Sequence, residues 1–134
     1  MFSLFTLLVS LFLHGSAHAA VDLTGDWKGT YRYITKNLKP VSFEIHLVEK
    51  GDKLTGKTVE PNTFAESPVK HLHADIRGSV NPDLTISFLK TYDGTGGATH
   101  SVEYAGKISA DGAHVKGTWK RLQSVGTFTL ERKK

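Results

Sequence analysis

The chain of 134 residues contains no cysteine. That excludes a disulfide framework and a thiol nucleophile, and leaves packing alone to stabilise an exported form. The first nineteen residues contain no Asp, Glu, Lys or Arg. Within them an apolar run from Leu4 to Leu13 leads to Ala17-His18-Ala19, the layout of a cleaved secretory leader with an A-x-A site, in which the chain amine supplies the only positive charge. The run is shorter than the ~20 apolar residues that span a bilayer. A leader over 1–19 and one domain over 20–134 are therefore expected, with a secreted or periplasmic location and no stable membrane insertion after cleavage.

Two further absences narrow the classes. No basic run is interleaved with aromatic residues, so the formal charge of +4 speaks for solubility rather than for nucleic acid, and the terminal "ERKK" reads as a solvated end. No helical periodicity, low-complexity segment or internal linker is visible. The remaining length, roughly 115 residues, suits one core.

What is present is alternation. "DWKGTYRYI" places Trp27, Tyr31 and Tyr33 on one face, and "VSFEIHLV" does the same with Val41, Phe43, Ile45 and Leu47. "LTGKTVE", "HLHADIRG", "LTISFLKTY", "HSVEYAGKI", "HVKGTWK" and "VGTFTLER" follow, separated by turn signals such as "KGDK", "NPD" and "ADGA". Eight short strands of period two predict an all-β, eight-stranded antiparallel up-and-down β-barrel, because closure removes exposed sheet edges. A two-sheet sandwich is the competing architecture. Glycines 29, 56, 106 and 117 share the inward parity, where a barrel needs bends or close backbone approach.

In an up-and-down order the connections after strands two, four and six lie at one end and are short. Those after strands one, three, five and seven, namely "TKNLKP", "PNTFAESPVK", "DGTGGAT" and "RLQS", lie at the other and are mostly longer. Long loops at one end of a barrel tend to carry function.

The inward parity of strand five runs Ile86, Phe88, Lys90, Tyr92, which carries a lysine onto the core face near that end. Strand three ends there with Glu60, and strand six begins there with His100. A pocket is thus expected at the long-loop end, with Glu60, Asn62, Lys90, Tyr92 and His100 as polar contacts and Tyr33, Tyr104 and Trp119 as aromatic walls. Lys90 and Glu60 are expected to pair at a wet rim, where a paired charge is tolerable. On that placement Lys90→Ala leaves stability nearly unchanged.

These residues resemble the calycin superfamily of small barrels, which includes lipocalins, fatty-acid-binding proteins and avidins. The likeness is carried by the G-x-W of "TGDW", Gly25 and Trp27, and by Arg132 in phase with Phe128 and Leu130 on the last strand. It implies that Arg132 stacks on Trp27 at the closed end. From about Gly25 to Arg132 the chain also looks like a group of bacterial exported domains of unknown function. That likeness is carried by Glu60-Pro61-Asn62-Thr63-Phe64, Lys90-Thr91-Tyr92-Asp93-Gly94, His100, Tyr104, Gly106, Trp119 and Phe128. It implies a fold and an exported place but no activity. The biotin ligands of avidins do not match residue by residue.

Other constellations are weaker. His71, His73 and Asp75 lie on one strand face, but Leu72, Ala74 and Ile76 own the core face, so a solvated surface is expected rather than a metal site. The elbow G-x-S-x-G of serine hydrolases is absent. "DGTGGATH" precedes no helix and reads as a hairpin loop rather than a phosphate cradle. No cofactor is expected. The leading expectation is a small-molecule ligand at the open end. The alternatives are an enzyme using Glu60 or His100 as base, with Lys90 beside them, and an interaction or inhibitor protein acting through the long loops.

Overall fold

A computed structural model describes residues 21–34, 36–64 and 67–134; the expected leader, 1–19, lies outside the described residues. Eight strands form: β1 (Gly25–Tyr33), β2 (Val41–Lys50), β3 (Lys53–Pro61), β4 (His71–Val80), β5 (Thr85–Tyr92), β6 (Ser101–Ile108), β7 (His114–Arg121) and β8 (Ser124–Arg132). Each pairs antiparallel with the next, and β8 returns to β1 through Tyr31 opposite Phe128, closing the barrel. Every sequence-predicted strand is present, and the up-and-down barrel rather than the sandwich is the fold.

Alternation explains why these segments are strands. In β2, Val41, Phe43, Ile45 and Leu47 are buried while Ser42, Glu44 and His46 are exposed. The same two-residue rhythm runs through β4 and β8. A slip of one residue in any pairing would turn a core face to water, so the hydrophobic pattern sets the register. Two glycines show how closely the wall is packed. A Cβ at Gly29 would sit 2.2 Å from the Phe43 ring, and one at Gly126 would sit 1.9 Å from the Arg32 carbonyl oxygen and 2.4 Å from the Trp119 indole.

The connections at one end are short: Gly51-Asp52, residues 81–84 and residues 109–113. At the other end three of the four are long. The fourth departs from expectation, since β7 and β8 continue to Arg121 and Ser124 and leave only Leu122 and Gln123 as the turn. Leu122 has a positive φ of 51°, the left-handed backbone that a two-residue hairpin turn requires.

The short-loop end is sealed. Leu23, in the segment leading into β1, is fully buried, as are Trp27, Leu47, Val115 and Leu130. The Trp27 indole donates to the Leu23 carbonyl at 2.9 Å. The Arg132 guanidinium lies 4.5 Å from the centre of the Trp27 ring, so the stacking anticipated from the sequence is present. Its nitrogens donate to the carbonyls of Asp22, Thr24 and Gly112 at 2.5, 3.1 and 3.2 Å. A delocalised cation thus caps an aromatic face while its fork ties the lead-in segment to the 109–113 turn.

Candidate functional site

β5 places Ile86, Phe88, Lys90 and Tyr92 on the lumen face, all buried. Lys90 stands beside Ile76 of β4 and Val102 of β6. On β3 the same parity turns Glu60 inward, opposite Leu72. The two side chains meet inside the barrel, with the lysine Nζ donating to Glu60 Oε1 at 2.5 Å. From β1 the Tyr31 hydroxyl donates to Glu60 Oε2 at 2.7 Å, and the Tyr92 hydroxyl donates to Oε1 at 2.8 Å. Donors from β1 and β5 therefore converge across the lumen on one carboxylate carried by β3.

The expected wet rim is corrected here. Lys90 and Glu60 are 0% and 1% exposed, because they meet inside the lumen beneath aromatic side chains of the surrounding strands rather than at its edge. A charge so placed is tolerable only when paired and hydrogen-bonded. The lysine ammonium is further enclosed by the rings of Phe43, Tyr31 and Tyr92, with centres at 4.5, 5.0 and 5.0 Å, which supply cation–π attraction in a desolvated setting. Burial pulls the lysine pKa down, and the facing Glu60 opposes that shift. The expectation that Lys90→Ala spares stability falls with the rim, since it would leave a carboxylate buried without its counter-charge.

Above this network a cavity of about 230 Å³ opens at the long-loop end. Its walls are Tyr31 and Tyr33 of β1, Tyr92 of β5, Tyr104 of β6 and Trp119 of β7. Trp119 stands edge-on to Tyr33 at 5.1 Å, and its indole donates to the Arg32 carbonyl at 3.0 Å. His100 packs 4.5 Å from Tyr92. Phe64, from the β3–β4 connection, lies edge-on to both at 5.9 and 5.5 Å. Lys36 and Arg121 stand exposed at the entrance.

Of the eight residues expected from the sequence, Tyr33, Tyr92, His100, Tyr104 and Trp119 line this cavity. Lys90 and Glu60 do not reach it; the Tyr31 and Tyr92 side chains join both layers. Asn62 does not line it either. Its side chain donates to the Val69 carbonyl at 3.1 Å and accepts from the Phe64 amide at 3.3 Å, so it pins the connection that carries Phe64. Sequence reasoning missed Tyr31, Phe64 and Arg121 as lining residues. Arg121 shares the parity of Trp119 one step nearer the rim, and drawing β7 one residue longer would have found it.

The electrostatics are set by burial. Desolvation first, and then the Glu60 charge, raise the pKa values of Tyr31, Tyr92 and Tyr104 above the ordinary phenol range; Tyr33 shifts the same way. Desolvation, with the nearby cations Arg121 and Lys90, lowers that of His100 against a weaker opposing pull from Glu60.

Elsewhere the chemistry is solvated. His71, His73 and Asp75 face water, and Asp75 pairs with Lys57 at 2.9 Å. His46 pairs with Asp26 at 2.8 Å on the outer face, a partner not evident from the sequence. No group of three metal-ligating side chains occurs among the described residues. A wider groove of about 830 Å³ runs along the outer wall between Leu89 and Val125. Its charged groups, Arg77, Glu103 and Lys120, all face solvent. Among the described residues, only the mouth combines an aromatic wall with a buried polar network.

These features define a closed eight-stranded barrel with a small aromatic hollow at one end. No family model matches the chain, and no curated protein matches it. Among solved structures it is similar to a redesigned β-barrel, at 17% identity and a TM-score of 0.66, over 84% of this chain and 92% of that one. At that identity the likeness concerns the fold.

Proposed function

We propose that this protein is an exported barrel of calycin-like type that binds a small molecule in the cavity at its open end. The observation that carries this reading is the 230 Å³ aromatic hollow at the mouth, left open although Tyr104 and Trp119 are both packed into its wall. An apolar lining with a few convergent polar groups is the usual make-up of a small-ligand site. The leader-like residues 1–19 support export, and Arg132 on Trp27 supports the calycin likeness. Binding is favoured over catalysis by the state of Glu60. Both of its oxygens are engaged by Tyr31, Lys90 and Tyr92 beneath the cavity, so neither is presented to a substrate proton.

The two tryptophans sit at opposite ends, which gives a direct test. In a fragment screen read by the indole N–H resonances, hits should shift the Trp119 signal saturably and leave Trp27 in place. A broad fragment set that moves neither signal, or moves both together, would contradict a mouth site.

A further inference from the structure

Resting on the binding reading above, we infer that the ligand is a single-ring aromatic anion, a planar body inserted among the wall rings with its carboxylate held at the rim by Arg121 and Lys36. Size is the first constraint. An apolar protein cavity of ~150 Å³ accepts benzene, so about 230 Å³ has room for one ring with a small substituent below the rim.

The polar inventory of the wall is the second. The hydroxyl protons of Tyr31 and Tyr92 are committed to Glu60, and the indole N–H of Trp119 is committed to a backbone carbonyl. That leaves Tyr33, Tyr104, His100 and Ser124, with the cations Lys36 and Arg121, to offer polar atoms to an occupant. A sugar, with hydroxyls around its whole rim, would set most of them against ring faces and edges rather than polar partners, and each one left unsatisfied is costly. A ring that is apolar over its body and polar at one point matches the wall. Rings meeting rings edge-on, as Tyr33 meets Trp119 and Phe64 meets Tyr92, are a favourable packing for one more aromatic plate.

Charge is the third. Arg121, Lys36 and His100 border the hollow, and no Asp or Glu lines it among the described residues. The negative charge of Glu60 lies below, matched by Lys90 at 2.5 Å. The opening therefore presents cations to an incoming ligand. Desolvation first and then the Arg121 charge lower the His100 pKa, with Glu60 opposing and Lys90 adding a smaller push, so Arg121 is the leading charge felt at this border of the hollow.

The probes are benzoate, benzamide and glucose, titrated into the full chain while the Trp119 and Trp27 indole N–H signals are followed. Benzoate should shift Trp119 alone, and more tightly than its neutral isostere benzamide by about fivefold, the scale of exposed ion pairs. That preference should shrink in Arg121→Gln and in high salt, because rim charges are screened. Benzamide binding as tightly as benzoate, or a preference indifferent to Arg121→Gln, would overturn the anion assignment while leaving a mouth site intact. Glucose binding in place of benzoate would do the same. If none of the three probes moves Trp119, the aromatic-anion assignment is overturned; if the fragment screen is silent as well, the binding reading goes with it.

Discussion

The two ends of the barrel each hold a cation against an aromatic ring, and they use it differently. At the sealed end Arg132 lies on Trp27 and spends its fork on the carbonyls of Asp22, Thr24 and Gly112. Those acceptors are neutral and partly solvated, so the contact closes the fold without burying a lone charge. At the open end Lys90 is sealed among three rings and tied to a carboxylate that is itself buried. Desolvating two ions offsets most of their attraction, and well-packed apolar residues often hold a core equally well. The first arrangement is explained by folding. The second calls for another reason, and its hydrogen bonds to Tyr31 and Tyr92, which line the cavity, supply one.

The largest effect that would break this contrast comes from removing one member of the buried pair. Glu60→Ala strands the lysine ammonium among rings, and Lys90→Ala strands the carboxylate; each should cost about 3–5 kcal/mol in denaturant unfolding. A loss below ~1 kcal/mol would mean that the pair reaches water and that the two ends are alike. At the sealed end Arg132→Met keeps the apolar stem over Trp27 and strands only carbonyls that water can reach. It should cost about 1–2 kcal/mol, the scale of a cation–π contact with a few hydrogen bonds.

Titration sharpens the comparison at smaller cost. All four tyrosines of the chain, Tyr31, Tyr33, Tyr92 and Tyr104, belong to the open end, and burial raises the pKa of each. Above pH ~10 the unfolded chain loses phenol protons that the folded chain keeps, so the native state binds more protons and stability falls as pH rises. Phenolate absorbance should therefore stay nearly flat past pH ~10 and then rise together with loss of tertiary structure. A smooth rise centred near pH 10 in folded protein would place the rings in water.

Much of this was legible in the sequence. Period-two alternation with turn residues between the runs yields all eight strands, parity turns Lys90 and Glu60 toward one lumen, and the likeness to lipocalin-type barrels, in agreement with parity, implies Arg132 on Trp27. What parity cannot supply is depth. It ranks residues along a strand but does not say how far large rings such as Tyr31, Phe43 and Tyr92 close over a neighbour, so Lys90 read as a rim residue when it is fully buried. Nor does it give contacts across the lumen. Tyr31 and Glu60 sit on β1 and β3 with β2 between them, and their 2.7 Å hydrogen bond depends on barrel diameter and side-chain reach. Arg121 was missed because β7 runs one residue further than its hydrophobic pattern, held by pairing with Ser124.

The most direct test replaces the whole pair at once. The double variant Glu60→Leu, Lys90→Met removes both charges together, and its unfolding free energy and its affinity for a fragment that shifts Trp119 should be measured side by side. If the network exists to set Tyr31 and Tyr92 beneath the cavity, stability stays within about 1 kcal/mol of the parent while affinity falls on the order of tenfold. Unchanged affinity, or a barrel that no longer folds, would contradict that division of labour between the two ends.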